Sequence, residues 1–206
     1  TCEWDIHAFI AYDAIHNDTS ILTEVKNMTR EEVFNVLKDY TLSNNGKSAM
    51  KTNTLHAYSE EVLKRILSAI KKTNNMIDVS KIKGSDMPKN TDLLTYSFPC
   101  QDLSNVGAFH GYNKGIDKES GSRSSLLWQV GRILFEMKKA GAKLPRYLVM
   151  ENVPTLLSSR HIDNFNLWIK ELEKLGYINK YISVNAKNYG IPQNRPRLLM
   201  LSVFVG

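Results

Sequence analysis

Cysteine is scarce in this sequence, which has only Cys2 and Cys100 among its 206 residues. Two cysteines cannot form the disulfide framework of a small secreted domain or a four-thiolate zinc site. No apolar run approaches the roughly 20 residues that cross a bilayer. The first ten residues carry two acids and no basic region, unlike a signal peptide. We therefore expect a cytoplasmic protein with no membrane span and no metal centre, in which a free thiol is available for chemistry.

The composition is that of a globular domain with an excess of positive charge. Hydrophobic residues make up 42% of the chain, which is enough for one domain with a sizeable core. The formal net charge is +6 and the pI is near 9.2. Such a balance favours polyanionic partners through counterion release. It is equally typical of a lysine-rich soluble protein from an AT-rich genome, so charge alone does not decide between them.

Hydrophobic periodicity predicts an α/β fold. Apolar spacing, a capping box at Thr29 and Glu32, and glycines after helix ends predict helices over 6–16, 29–40, 60–72, 126–139 and 162–175. Short apolar runs predict strands over 92–98, 147–150, 181–184 and 198–204. The polar stretch 41–54 is predicted to be a loop. Because strands alternate with helices in the second half, we expect a domain built on a mostly parallel sheet.

Two of the predicted strands end next to residues that carry chemistry. Cys100 follows one strand and opens the stretch 101–125, which is too long for an ordinary connection. Glu151 and Asn152 follow the next strand, and ligands of such sheets gather at the carboxyl ends of strands. A lone cysteine is more often a small buried hydrophobic residue, and a strand-end carboxylate is often solvated or paired with lysine. In combination, these residues favour a nucleophile with an acid nearby.

Three segments resemble the bacterial C5-cytosine DNA methyltransferases, in that family's order and at its spacing. They are FPCQ at 98–101, ENV at 151–153 and NYGIPQNRPR at 188–197. In the last segment, Gln193, Arg195 and Arg197 alternate at the start of a predicted strand, which would place all three on one face. The resemblance covers essentially the whole chain. It is closest to mollicute and streptococcal-type enzymes, which share the helical insertion and the phrase LLTYSFPCQDLS.

The resemblance implies a Rossmann-like, S-adenosylmethionine-dependent methyltransferase fold and a defined chemistry. Cytosine C5 is a poor nucleophile, so a thiolate, Cys100, would add to C6 and make the ring an enamine that attacks an activated methyl group. Glu151 would donate to N3 if it is protonated or shares a proton with the base, as a desolvated carboxyl can. Arg197 would stabilise charge on O2. Arg195 would support the cysteine side, and Asn152 would orient Glu151 and brace the loop.

The resemblance also implies double-stranded DNA as substrate and S-adenosylmethionine as methyl donor, without a metal. The target base must leave the stack to be reached, and 101–125 is similar to the family's active-site loop, which closes over the flipped base. Residues expected to contact DNA or the framework of the loop are Pro99, Gln101, Ser104, Arg123 and Gln193. Residues expected to contact the methyl donor are Glu3, Trp4, Asp78, Val79, Phe98 and Leu126, unless Trp4 is a core residue.

Residues 1–206 are expected to form a portion of the catalytic domain, with a helical insertion at about 29–75. The family's upstream Gly-rich segment and its target recognition domain are not found in them. We therefore expect this segment alone to bind the methyl donor negligibly and to be inactive without the rest of the protein or a complementing chain.

Two alternatives to an active DNA methyltransferase stay open. One is a catalytically inactive fragment that binds DNA or a partner. The other is the tRNA-methylating branch of the family, whose PPCQ and CFT-type segments do not occur here. We expect a role in restriction–modification, and the catalytic half does not reveal which DNA sequence is recognised.

Overall fold

The computed structural model describes residues 1–98 and 126–206, and the chain divides into two compact units, Thr1–Lys81 and Ile82–Gly206. The helices of the first unit are Ile6–His16 (α1), Thr23–Lys26 (α2), Arg30–Leu37 (α3), Thr52–His56 (α4) and Glu60–Lys72 (α5). The second unit has the strands Leu93–Ser97 (β1), Tyr147–Asn152 (β2), Tyr177–Asn185 (β3) and Pro196–Phe204 (β4). Its α-helices are Leu127–Lys139 (α6) and Ile162–Leu175 (α7), and short 3-10 turns span Gly84–Asp86, Pro154–Leu157 and Ala186–Tyr189. None of the helices in the two described ranges is long and apolar enough to cross a bilayer.

The first unit is held together by the buried face of α5. Its apolar side chains recur at the spacing that places them on one side of a helix, where they pack with α1 and α3. The buried residues of this face are Leu63, Ile66, Leu67 and Ile70. The predicted capping box is confirmed, because Thr29 accepts from the Glu32 backbone and donates its own N–H to the Glu32 carboxylate at 2.7 Å. α3 ends at Leu37, slightly before its predicted end.

The first five residues run between two other parts of the same unit. On one side, the Ser43 N–H donates to the Trp4 carbonyl at 2.8 Å, and the Ile6 N–H donates to the Ser43 carbonyl at 2.9 Å. On the other side, the buried Asn75 side chain accepts from the Glu3 N–H at 3.0 Å and donates to the Glu3 carbonyl at 2.9 Å. These hydrogen bonds from Ser43 and Asn75 fix the backbone that carries Glu3 and Trp4.

The sheet of the second unit is mixed rather than mostly parallel. Its strand order is β1-β2-β4-β3, in which β1 runs parallel to β2 and β4 runs antiparallel to both of its neighbours. The predicted strand directions are therefore corrected for the described residues. The physical reason is the short connection 186–195 between β3 and β4, because a parallel crossover needs a dozen or more residues.

Aromatic rings fix α6 and α7 against the sheet. Trp168 of α7 is fully buried, and its Nε1–H donates to the Tyr96 hydroxyl of β1 at 3.2 Å. Its ring centroid lies 5.7 Å from that of Trp128 on α6. A Cβ atom at Gly131 would lie 2.9 Å from Cζ3 of Trp168. The close approach of the two helices therefore requires glycine at that position of α6.

The parallel pairing of β1 and β2 brings two strand ends to the same edge of the sheet. Ser97 pairs with Glu151 in register, so Phe98 and Asn152 follow at the carboxyl ends of neighbouring strands. The two strand ends that carry the FPC and ENV segments therefore lie side by side. Because β4 runs antiparallel to β2, the beginning of β4 lies at this edge too, with Leu198 opposite Asn152.

Candidate active site

Glu151 and Arg197 form an ion pair at this edge of the sheet. Glu151 lies opposite Leu199, and strand alternation puts Arg197 on the same face, one diagonal step away. The Nε atom of Arg197 lies 2.5 Å from Oε1 of Glu151, with 22% of the arginine side chain and 43% of the glutamate side chain exposed. The described residues therefore leave this carboxyl open to solvent and to a ligand. An exposed carboxyl in contact with a guanidinium can bind a planar polar ligand with both groups.

Asn152 ties the end of β2 to the end of β1. The residue is buried, and its Nδ2 donates to the Phe98 carbonyl at 2.9 Å. Its Oδ1 accepts from the Val153 N–H at 2.9 Å. Phe98 is also buried. One buried amide thus fixes the last described residue before the Pro99–Cys100 dipeptide of the sequence.

We expect Asn152→Asp to destabilise the protein. A carboxylate cannot donate to the Phe98 carbonyl, so a buried acceptor would lose its partner and face a second acceptor. The free energy of unfolding should fall by about 1–3 kcal/mol, as measured by urea denaturation. Asn166→Asp makes the same chemical change at an exposed position of α7 and should leave stability nearly unchanged. Equal stability of the two variants would show that the bond to Phe98 contributes nothing.

The loop before β4 places Gln193 and Arg195 differently from the sequence prediction. β4 begins at Pro196, so only Arg197 of the three predicted residues follows strand alternation. The Gln193 N–H donates to the Ile191 carbonyl at 2.7 Å, which turns the backbone, and Gln193 and Arg195 are both exposed. The prediction that alternation aligns all three was wrong, because these backbone groups are used within the loop rather than in a strand ladder.

Several predicted site residues lie outside the described residues. They are Pro99, Cys100, Gln101, Ser104 and Arg123, together with the predicted active-site loop 101–125. The described residues that flank this gap, Phe98 and Leu126, were predicted to contact the methyl donor. Phe98 is buried, and Leu126 is partly buried where α6 begins.

In the first unit, two predicted donor-binding carboxylates lie near the Cys2 thiol. Cys2 is exposed as a residue, but partial burial of its thiol raises the pKa of Cys2 to about 11, and the negative charges of Asp78 and then Glu3 add to the rise. Glu3 Oε1 accepts from the Asp5 N–H at 2.8 Å, and Asp78 Oδ1 accepts from the Ser80 N–H at 3.0 Å. At neutral pH the Cys2 thiol therefore stays protonated. Within the described ranges, no three His, Cys, Asp or Glu residues are grouped to hold a metal ion.

The other residues of this region are half-buried. Trp4 packs against the hydrophobic core of the first unit and keeps part of its surface exposed, as does Val79. The sequence analysis missed Asn75. Its side chain bonds both the N–H and the carbonyl of Glu3. A single polar residue after a helix carries no periodic signal that would distinguish it from a solvated loop residue.

Positive charge is concentrated in the second unit. Ile82–Gly206 contains 17 Lys and Arg against 10 Asp and Glu, a net charge of +7, whereas Thr1–Lys81 contains 10 against 11, a net charge of −1. The excess of cations therefore belongs to the unit that carries the Glu151–Arg197 pair. A polyanionic partner would be attracted to this unit rather than to the first.

The sequence matches a known protein family and curated relatives over most of its length. The family model described as C-5 cytosine-specific DNA methylase matches residues 39–204. The orphan methyltransferase M.SssI of Spiroplasma monobiae is 40% identical over 203 residues, which are 97% of this chain and 51% of the relative. The Type II methyltransferase M2.ScrFI of Lactococcus lactis subsp. cremoris is 38% identical over 196 residues, which are 94% of this chain and 51% of the relative. The chain spans about half the length of these curated relatives.

Solved structures of methyltransferases also align with the chain. EhMeth, a methyltransferase of Entamoeba histolytica, has 19% sequence identity and a TM-score of 0.45, covering 67% of this chain and 41% of its own. The Dnmt2 methyltransferase of S. pombe has 19% identity and a TM-score of 0.43, covering 63% of this chain and 35% of its own. The match of the family model is the stronger of the two kinds of similarity.

Proposed function

Since the chain belongs to the C-5 cytosine-specific DNA methylase family, we propose that the complete protein transfers a methyl group to C5 of cytosine in double-stranded DNA. The observation that carries this proposal is the Glu151–Arg197 pair, 2.5 Å apart at the carboxyl ends of β1 and β2. Relatives of the chain include proteins named Type II methyltransferases. On that ground we assign the protein to a restriction–modification system.

Cys100 is the nucleophile in this proposal. Its thiolate forms a C–S bond to C6 of cytosine, and the electron pair of the C5–C6 double bond moves toward N3 and O2, which makes C5 nucleophilic. C5 then attacks the methyl carbon of the donor, and the bond from that carbon to the sulfonium sulfur breaks, with its electron pair staying on the sulfur of the departing donor. The proton on C5 leaves to a base, and the returning electron pair restores the double bond and expels the thiolate. The position of Cys100 supports this role, two residues after the Phe98 carbonyl that Asn152 holds.

Glu151 and Arg197 stabilise the charge that develops on the ring. With a base bound, Glu151 donates a proton to N3 and Arg197 donates to O2. The ion pair holds both side chains at the edge before the base arrives. Because 43% of the Glu151 side chain is exposed, a flipped base can reach this carboxyl directly. Arg195 supports the cysteine side, and Asn152 braces the segment that leads to Cys100.

Double-stranded DNA presents its cytosine to these residues only after the base is flipped out of the stack. The net charge of +7 on the second unit supports binding to the phosphate backbone. Gln193 and Arg195 are exposed in the loop before β4, where such a partner can reach them. Residues assigned to contacts with DNA or with the framework of the active-site loop are Pro99, Gln101, Ser104, Arg123 and Gln193.

S-adenosylmethionine supplies the methyl group in this proposal. Two carboxylates, Glu3 and Asp78, both act on the Cys2 thiol, and Trp4 is a half-buried aromatic residue next to Glu3. This set fits an adenosyl group, because one carboxylate can accept from ribose hydroxyls, the other from the adenine amino group, and an aromatic ring can stack on adenine. Further residues assigned to the donor are Val79, Phe98 and Leu126.

Methyl transfer by the complete protein tests the proposal. With S-adenosylmethionine that carries a labelled methyl group, we expect label to accumulate in duplex DNA of mixed sequence and not in tRNA. Mixed-sequence DNA makes the test independent of the recognition sequence. Label in tRNA but not in DNA would contradict the proposal and favour the tRNA-methylating branch of the family. An absence of transfer to DNA would contradict it as well.

A further inference from the structure

Asn185, the last residue of β3, forms hydrogen bonds with both ends of the loop 186–195, which leads to Arg195 and Arg197. We call the residues at the start of this loop its first arm and those at its end its second arm. Its Oδ1 accepts from the Arg195 N–H at 3.1 Å and from the Lys187 N–H at 3.3 Å. Its Nδ2 donates to Oδ1 of Asn194 at 2.8 Å. One side chain thus bonds residues at the beginning and at the end of the loop 186–195.

The loop has few other means of holding its shape. Its large apolar side chains, Tyr189 and Ile191, are 68% and 53% exposed, so they contribute little buried surface. The arms are also joined by a backbone bond from the Ala186 N–H to the Arg195 carbonyl, at 3.2 Å. A second backbone bond runs from the Ile191 N–H to the Ala186 carbonyl, at 3.3 Å. Because hydrophobic packing is sparse, the polar contacts of Asn185 and these backbone bonds hold the residues that lead into β4, next to the nine residue pairs of the β3–β4 ladder.

The entry of this arm sets the position of Arg197. Asn185 pairs with Pro196 at the end of the β3–β4 ladder, and Val184 pairs with Arg197 at the next position. Arg197 reaches from there to Glu151, with Nε and Oε1 2.5 Å apart. A shift of the arm by one step of the ladder would turn Arg197 to the opposite face of the sheet.

We propose that Asn185 is a positioning residue for the methyl-transfer reaction. It acts through Arg197, because its hydrogen bonds keep the loop closed and thereby hold the guanidinium against Glu151. This inference rests on the proposed function, since it gives the ion pair a task in catalysis. Sequence patterning does not single out Asn185, because it is one polar residue at the end of a strand.

The experiment compares variants of the complete protein in single-turnover methylation of mixed-sequence DNA. Asn185→Ala removes all three side-chain bonds, and misplacement of a catalytic group should slow the chemical step by about 10- to 100-fold. Affinity for DNA should stay close to that of the wild type. Asn185→Asp keeps the acceptor for both N–H groups, and the Asn194 amide can turn its NH₂ toward the carboxylate. Asn185→Asp should therefore keep a rate within about threefold of the wild type.

Two further variants make the test specific. Asn179→Ala removes an asparagine from the same strand, away from the loop, and should not change the rate. In an Arg197→Ala background, Asn185→Ala should have little additional effect, because residues that act through one another are not additive. If Asn185→Ala fails to fold, Asn185→Ser takes its place. Its side chain is too short to bond both arms of the loop, so it should slow the reaction, whereas Asn185→Asp should not.

The inference is overturned if Asn185→Ala keeps the wild-type rate, or if its effect simply adds to that of Arg197→Ala. Failure of this inference is distinguishable from failure of the proposed function. If Cys100→Ser abolishes methylation and Glu151→Gln slows it by roughly 10²-fold, while Asn185→Ala does not slow it, only the role of Asn185 is wrong. If Cys100→Ser and Glu151→Gln methylate DNA normally, the proposed function is wrong whatever the Asn185 variants do.

Discussion

The complete protein with Cys100→Ser is expected to form no covalent adduct with duplex DNA in which 5-fluorocytosine replaces cytosine, whereas the wild type is trapped. Fluorine at C5 cannot leave as a proton does, so the bond between the thiolate and C6 persists after methyl transfer. A serine hydroxyl is far less nucleophilic than a thiolate at neutral pH. The adduct is measured by denaturing gel electrophoresis after incubation with S-adenosylmethionine. Substituting every cytosine removes the need to know the recognition sequence.

The second cysteine of the chain supplies the matched control. Cys2→Ser makes the same chemical change at a thiol whose pKa is raised to about 11 by burial and by Asp78 and Glu3. Such a thiol is protonated at neutral pH and is a poor nucleophile, so the Cys2→Ser protein should still be trapped. An adduct that survives in Cys100→Ser at the normal rate would remove Cys100 from the mechanism.

Glu151→Gln is expected to lower turnover by roughly 10²-fold or more. Glutamine keeps the shape of the side chain and can still contact Arg197 weakly, but it has no proton to give to N3 of the base. Binding of DNA should be largely retained, because a carboxylate does not attract the phosphate groups that supply most of the affinity for duplex DNA. The measurements are the steady-state rate of methyl transfer and the equilibrium affinity for duplex DNA, made on the same preparation.

Glu173→Gln is the control for this substitution. Glu173 is exposed near the end of α7, so losing its charge should leave turnover unchanged. If Glu151→Gln also stayed within about threefold of the wild type, its contribution as an acid would be smaller than general acid catalysis supplies. Glu151 would then have a structural role, and another group would have to donate to N3.

Local signals in the sequence predicted the longer helices well, but they missed the short helices α2 and α4, and α4 overlaps the predicted loop 41–54. α1, α5 and α7 have the predicted bounds, because each combines apolar periodicity with an identifiable beginning or end. The left-handed Gly176, for example, ends α7 where the sequence predicts it. β3 begins four residues earlier than predicted, at Tyr177. Asn179 and Lys180 interrupt the apolar pattern there, so periodicity did not reveal the first half of the strand.

The fold class was predictable, but the directions of the strands were not. The match to the C-5 cytosine-specific DNA methylase family confirms the predicted S-adenosylmethionine-dependent fold, and the described sheet with its flanking helices is a part of it. An apolar run carries no information about which way the strand runs in its sheet. The antiparallel pairing of β4 follows from the short loop 186–195. The predicted strands 181–184 and 198–204 left 13 residues between them, which is long enough for a crossover, so the sequence did not reveal this direction.

The candidate site was predicted residue by residue only where a motif identified it. The contact between Glu151 and Arg197 joins two motifs that lie far apart in the sequence, and the sheet register brings them together. Asn185 and Asn75 escaped prediction because their importance lies in which backbone groups they bond. Such partners become known only when distant segments are placed side by side.

The position of the transferred methyl group tests the central claim most directly. Duplex DNA treated with the complete protein and S-adenosylmethionine is digested to nucleosides and analysed by mass spectrometry against synthetic standards. The proposed mechanism predicts 5-methyldeoxycytidine, and it predicts that this product disappears with Cys100→Ser. A methyl group on the exocyclic nitrogen of cytosine or adenine would contradict the account, because neither product requires addition of a thiolate to C6.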